Sequence, residues 1–164
     1  MEQGQREKFL DLLETFDIAM LITFPKDSPP VGRPMAIAQV ADDTKVWFIT
    51  GIESQKVHEI ADDAEVCITC QRNHSLYLSV SGTARAVRDR QKIRELWKES
   101  FQVWFPEGPN DPTLGLIEFT PKVGEYWDSE GVNKFKYTYA AIKAYVTGTT
   151  PVIPEEQHAK VQIT

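Results

Sequence analysis

The stretch GRPMAIAQVADDTKVWFITGIESQKVHEI, Gly32 to Ile60, decides how this chain folds. It spells two strands joined by a tight turn, then a loop that opens a short helix. Arg33 is expected to start the first strand. Asp42-Asp43-Thr44 is the turn, since Asp tolerates turn geometry and bonds its own backbone. Val46, Trp47, Phe48 and Ile49 are β-formers in a short apolar run, and Thr50-Gly51 ends it. Ser54 stands at the start of a helix with Val57, Ile60 and Ala61 on one face.

The junction after the second strand carries the chemistry. A helix start leaves backbone N–H groups unpaired and bears partial positive charge. Ser54 adds a hydroxyl, Gln55 an amide and Lys56 a cation, which together make a phosphate site, and Arg33 on the neighbouring strand can converge on the same anion. The same residues have a plainer use. Ser54 caps a helix, Thr50 with Glu53 fits a capping box, and Lys56 is a solvated surface charge. On spacing alone the plainer use is the commoner one.

The remainder reads outward from this stretch. Residues Arg6 to Phe16 are an amphipathic helix with Phe9, Leu12, Leu13 and Phe16 at helical spacing, a cover for one end of a sheet. Ile18 to Phe24 is a continuous apolar run, expected as a buried strand, and Pro25 to Pro30 is a turn. Glu65 to Cys70 alternates as a strand with Val66, Ile68 and Cys70 on one face. Cys67 and Cys70 therefore point to opposite faces, and their C-x-x-C spacing reads as two free thiols, with no metal site. Leu76 to Arg88 is a long strand in which Gly82 marks a bend or bulge.

Asp89 caps a second helix on which Ile93, Leu96, Trp97 and Phe101 share a face. A breaker-rich loop, Pro106 to Pro112, follows. Two strands, Thr113–Thr120 and Val123–Asp128, close the fold around Pro121-Lys122, with Glu125 and Trp127 opposite Tyr126. A short helix is expected over Tyr137 to Tyr145, and a weakly ordered tail from about residue 146. The pattern is mainly β with appended helices in a single domain over 1–164, an antiparallel barrel.

Bulk properties exclude several classes. The net charge of −6 argues against a nucleic-acid binder, which needs a basic face. No apolar run reaches the length of a membrane span, and MEQGQREKFL lacks the apolar core of a signal peptide, so a cytoplasmic protein is expected. No dinucleotide fingerprint, P-loop or nucleophile elbow occurs. His58, His74 and His158 are dispersed, and Asp42-Asp43 and Asp62-Asp63 read as solvated turn residues. A protein with so few catalytic side chains does redox chemistry when a cofactor carries the reaction.

The run Phe48-Ile49-Thr50, three residues, Ser54-Gln55-Lys56, then Val57-His58-Glu59-Ile60, with Arg33 upstream, resembles the flavin-binding segment of the pyridoxamine 5′-phosphate oxidase family, the FMN-binding split barrels. Trp104-Phe105, the Asn110-Asp111-Pro112 turn, and Tyr126-Trp127-Asp128 after Thr-Pro-Lys resemble its general stress protein 26 branch. The likeness spans roughly Phe16 to Ser129.

It implies an antiparallel split β-barrel that binds FMN, with FAD as the other candidate, in a homodimer whose flavin lies at the subunit interface. It implies that Arg33 approaches the phosphate end and that Met35 and Ala36 line the isoalloxazine ring or ribityl chain. Ile49 and Thr50 contact the ring or ribityl chain from the next strand, and Ser54, Gln55 and Lys56 hold the phosphate. Trp104 and Trp127 are implied from the partner subunit. No catalytic residue is implied.

The chain also departs from the oxidases. Ala38 stands where they have a lysine, Tyr77 where they have a glutamine, and no arginine follows Arg94 to form their substrate motif. A flavin-dependent oxidoreductase of the general stress type, without pyridoxamine phosphate oxidase activity, is the expectation. A non-enzymatic flavin carrier or sensor, and a barrel interaction module without flavin, are the alternatives.

Overall fold

The computed structural model describes residues 2–128 and 158–163. The elements are α1 (Glu2–Glu14), β1 (Ile18–Thr23), β2 (Val31–Val40), β3 (Val46–Gly51), α2 (Gln55–Asp62), β4 (Glu65–Arg72), β5 (Leu76–Val87), α3 (Arg90–Leu96), β6 (Leu114–Asp128) and β7 (His158–Gln162). Two 3-10 turns, Glu99–Val103 and Gly108–Asn110, lie between α3 and β6.

The strands are antiparallel in the order β3-β2-β1-β4-β5-β6-β7, and β3 also pairs with β6. That extra pairing, Val46 opposite Phe119 through Gly51 opposite Leu114, closes six strands into a barrel. The expected antiparallel split barrel with appended helices is the observed fold.

β6 explains how a small barrel closes and still carries a seventh strand. Its first half lies between β3 and β5, and its second half between β5 and β7. The sequence predicts two strands interrupted at Pro121-Lys122; the structure has one strand of 15 residues. Pro121 is tolerated because it sits opposite Gly82, at the irregularity where the β5–β6 register shifts. Gly82 is the expected bulge. A Cβ there would lie 2.2 Å from the Thr120 carbonyl oxygen, so no side chain fits.

The barrel interior is filled by alternating residues of each strand, among them Leu21, Phe48, Ile68, Val80, Phe119 and Tyr126. α1 plugs one end with Phe9 and Leu13, both fully buried. Each contributes roughly 1.5–3 kcal/mol of burial. Gly124 lets Phe9 approach, since a Cβ there would fall 2.5 Å from the ring. A second cluster lies outside the barrel wall, where Ile93, Leu96 and Phe101 cover Ala38, Trp47, Ile49, Leu114 and Leu116.

Several local expectations hold. Thr44 takes the left-handed conformation (φ 72°) that completes the Ala41–Lys45 turn. The Asp89 carboxylate accepts from the Lys92 backbone N–H at 2.9 Å and caps α3. On β4, Val66, Ile68 and Cys70 face inward, whereas Cys67 and Thr69 do not.

Others are corrected. β2 starts at Val31, two residues before Arg33, because pairing with β1 runs to the end of that strand. β1 is not buried on both faces: Ile18 is 54% and Met20 39% exposed, since only one face meets the barrel interior. Ala61 is exposed, and the buried face of α2 is instead Val57, Glu59 and Ile60. α3 stops at Leu96, so Phe101 belongs to the 3-10 turn; Trp97 meets it edge-on at 5.9 Å.

The end of the expected weakly ordered tail forms β7. Ala159, Val161 and Ile163 are buried against the barrel, a period-2 pattern too short to stand out in the sequence. The helix expected over Tyr137 to Tyr145 lies outside the described residues.

Candidate functional site

A cleft of about 450 Å³ opens where β2, the end of β3, the start of β1, the first turn of α2 and the segment after α3 meet. It has two chemically distinct ends. One is apolar, walled by Ile18, Pro34, Met35, Ala36 and Ile49, with Trp104 and Phe105 at the rim. The other is polar and carries Arg33, Thr50 and Lys56.

The polar end is built by the turn from β3 into α2. The Ile52 backbone N–H donates to the Thr113 carbonyl at 2.8 Å. Its side chain packs where Gly115 leaves room; a Cβ on Gly115 would meet it at 2.3 Å. The Ser54 N–H donates to the Gly51 carbonyl at 3.1 Å. The turn is thereby fixed to β6, and Ser54 enters α2 with extended backbone.

Ser54 occupies the N-cap position, yet its hydroxyl makes no capping bond. The capping box is also unformed, because Glu53 instead pairs with Arg88. The hydroxyls of Ser54 and Thr50 turn toward Lys56. Lys56 Nζ donates to Ser54 Oγ at 3.0 Å and to Thr50 Oγ1 at 3.2 Å, and the two hydroxyl oxygens are 3.4 Å apart. Among the described residues no carboxylate hydrogen-bonds this ammonium. Burial, followed by the charge of Arg33, holds the Lys56 pKa below the usual lysine value, while Glu59 opposes the shift.

Arg33 is the second cation at this end. Its Nη1 donates to Thr23 Oγ1 at 2.8 Å and its Nη2 to Glu59 Oε2 at 2.9 Å. Thr23 in turn donates to the same Glu59 oxygen at 2.6 Å. Glu59 is 7% exposed. Burial alone would raise its pKa, but the bonds from Thr23 and Arg33 outweigh that and hold it below the usual carboxylate value. Glu59 Oε1 has no hydrogen-bond partner in the geometry, though the Gln55 amide lies near enough to help keep the carboxylate ionised.

Most of the sequence-predicted residues meet here. Arg33, Met35, Ala36, Ile49, Thr50, Lys56 and Trp104 line the cleft, and Ser54 joins through its bond to Lys56. Gln55 is exposed and turned toward Glu59. Trp127 is not part of this cleft. It stands toward the far end of β6, stacked on His158 at 5.2 Å. Ala38, in place of the oxidase lysine, is buried in the cluster beneath α3.

Glu59 and Thr23 were not singled out from the sequence. A carboxylate on the apolar side of a short helix, three residues from a lysine, was the available signal. Thr23 gave none within an apolar run.

Other chemistries find little support in the geometry. Burial pushes the Cys70 thiol up to about 12, so it is not a nucleophile at neutral pH. Among the described residues no three His, Cys, Asp or Glu side chains converge on a metal position. No helix among them is long and apolar enough to cross a membrane.

Comparison with known proteins agrees with the fold. A protein of Jannaschia sp. CCS1 ascribed to general stress protein 26 superposes with a TM-score of 0.71 at 27% identity, covering 99% of each chain. The general stress FMN/FAD binding protein of Xanthomonas citri superposes with a TM-score of 0.67 at 24% identity, over 79% of this chain and 92% of that one. Protein bli-3 of Neurospora crassa is 28% identical over 106 residues, 58% of this chain, and the match spans about half (51%) of that relative's length. Residues 4–152 match the model of the family described as pyridoxamine 5′-phosphate oxidase like, and with most of the chain inside that match, the protein belongs to this family.

Proposed function

We propose that the cleft binds a flavin, FMN with FAD as the second candidate, and that the protein is a flavin-dependent oxidoreductase of the general stress type. The observation that carries this is Lys56, a half-buried ammonium that among the described residues bonds only hydroxyls, beside a second cation and at one end of an apolar slot. An anion there relieves the repulsion between Lys56 and Arg33 and accepts from donors already gathered. The apolar walls suit a planar ring. The Xanthomonas citri relative's description as FMN/FAD binding points the same way.

A bound flavin supplies two-electron redox chemistry at its ring. The chain's own residues position and shield it. Lys56, Thr50 and Ser54 hold the terminal phosphate, with Gln55 at the helix start and Arg33 beside it. Met35, Ala36 and Ile49 pack along the ribityl chain and ring, and Trp104 keeps water from the rim. The exposed side chains of Ile18, Met20 and Trp104 leave apolar surface around the mouth. A second copy covers it in a homodimer with flavin between the subunits and Trp127 contributed by the partner. Residues 95–164 hold no arginine to form the oxidases' substrate motif, which supports a substrate other than pyridoxamine phosphate. Cytoplasmic residence completes the proposal.

A second reading, a flavin carrier or sensor without turnover, is favoured by the lining of the apolar end. Ile18, Met35, Ile49 and Phe105 offer no proton donor or acceptor there. One preparation addresses both readings. The purified protein is expected to carry yellow flavin absorbance, and the mass of the released molecule distinguishes FMN from FAD. Repeated reduction by a nicotinamide dinucleotide with turnover identifies an enzyme; a single stoichiometric reduction or none identifies a carrier. Protein that stays colourless after loading with FMN would leave an interaction module.

A further inference from the structure

Resting on the phosphate site proposed above, we infer that Glu59 and Thr23 are positioning residues for Arg33: together they hold its guanidinium at the polar end of the cleft, turned toward the ligand's phosphate. Three elements supply the parts. Arg33 is on β2, Thr23 ends β1, and Glu59 lies on α2 one turn beyond Lys56. Thr23 Oγ1 receives Arg33 Nη1 at 2.8 Å and donates to Glu59 Oε2 at 2.6 Å, and Arg33 Nη2 reaches that oxygen at 2.9 Å. The triangle is closed and largely buried, since Thr23 is fully buried and Glu59 nearly so.

A guanidinium has more N–H donors than these two bonds use, so an anchored Arg33 still has donors for an anion. Without the triangle, Arg33 would be repelled by Lys56 and free to swing toward solvent. The arrangement also explains why a carboxylate lies close to an anion site. It keeps two like charges together while the ligand is absent.

Charge and position predict opposite effects, which makes the inference testable. Removing the negative charge of Glu59 should by itself tighten anion binding. If Glu59 acts by holding Arg33, affinity falls instead. FMN affinity is to be measured for the full chain, for Glu59→Gln and for Thr23→Val, which leaves net charge unchanged. Each variant is then repeated in an Arg33→Met background. The expected result is about a tenfold loss for Glu59→Gln and for Thr23→Val, shrinking to less than about twofold once Arg33 is gone.

Unchanged or tighter binding by both variants, or an equal loss without Arg33, overturns the inference. Should Glu59→Gln fail to fold, Thr23→Val alone decides by the same criterion. Should the wild-type chain not bind FMN, the flavin proposal fails, and the same comparison is run with inorganic phosphate, read by the NMR shift of the Lys56 side chain. Weaker phosphate binding in Thr23→Val then sustains the positioning role. Equal binding, or no response from the wild type, sinks it.

Discussion

Two clusters of basic side chains on this barrel look alike in sequence and differ in state. On one, Arg85 of β5 grips Glu118 of β6 through two bonds of 2.8 and 3.2 Å, and Lys45 bridges Asp43 at 3.0 Å and Glu118 at 3.8 Å. Every cation there faces a carboxylate. At the end of the cleft, among the described residues, Arg33 and Lys56 share the single carboxylate Glu59, and Lys56 bonds only hydroxyls. The lysines register the difference. The Asp43 bond and then Glu118 push Lys45 up, whereas burial and then Arg33 push Lys56 down. The first cluster is balanced around the buried Glu118; the second is unbalanced and half-buried, and the proposed anion completes it.

Removing one arginine from each cluster is the most severe way to break this contrast. The Arg33 side chain is 20% exposed and that of Arg85 69%. Arg33→Ala strands Glu59 as an uncompensated buried charge, at a cost of about 3–5 kcal/mol. Thermal unfolding should fall by about 10 °C. Arg85→Ala should lower it by about 5 °C at most: Glu118 is as buried as Glu59, but Lys45 still faces it at 3.8 Å when Arg85 is gone. Equal losses would erase the distinction.

A pH series sharpens the contrast with a smaller effect. The folded pKa of Lys56 lies below the lysine value of 10.5, so the folded protein bears a cost for charging it. That cost is present at neutral pH, fades as pH rises above the depressed value and is gone above 10.5. A phosphate bound to the ammonium needs it charged. FMN affinity should therefore decline about tenfold as pH climbs through that value, below 10.5, on losing one charge-assisted bond. A Lys56→Met variant should lack this alkaline limb, and Lys45→Met should keep it.

The acid side gives the mildest change. Glu59 is lowered from 4.5, so its contribution to stability is complete above that value and is lost as pH falls through the lower folded one. Urea unfolding of Glu59→Gln should show less loss of stability over that acid range than the wild type.

How much of this was legible beforehand follows from the range of the interactions. Gly32 to Ile60 announced its strands, turn and helix because Asp42-Asp43-Thr44 and Ser54 act locally. Asp89 and Gly82 were legible for the same reason. Most of what the sequence concealed depends on partners far along the chain, the Ser54–Lys56 bond excepted. Ser54 looks like a cap, but its hydroxyl is directed to Lys56. Ile18 and Met20 look buried, but lie on the outer face of β1. Pro121 looks like a strand break until Gly82, on another strand, supplies the bulge that accommodates it. β7 is too short to show a period, and it forms only because β6 has a second half to pair with. Of the 32–60 stretch, the cleft residues Arg33, Met35, Ala36, Ile49, Thr50 and Lys56 were visible, whereas Glu59 was not, and Thr23 reaches Arg33 through strand pairing alone.

The most direct measurement is flavin retention by the wild type and by an Arg33→Ala, Lys56→Ala double variant. Both are loaded with excess FMN and desalted, with circular dichroism confirming the fold. The wild type should keep near-stoichiometric flavin absorbance, and the double variant should bind about a hundredfold more weakly, the loss of two charged donors. A folded double variant that keeps as much flavin as the wild type, or a wild type that keeps none, would contradict a phosphate site at Lys56.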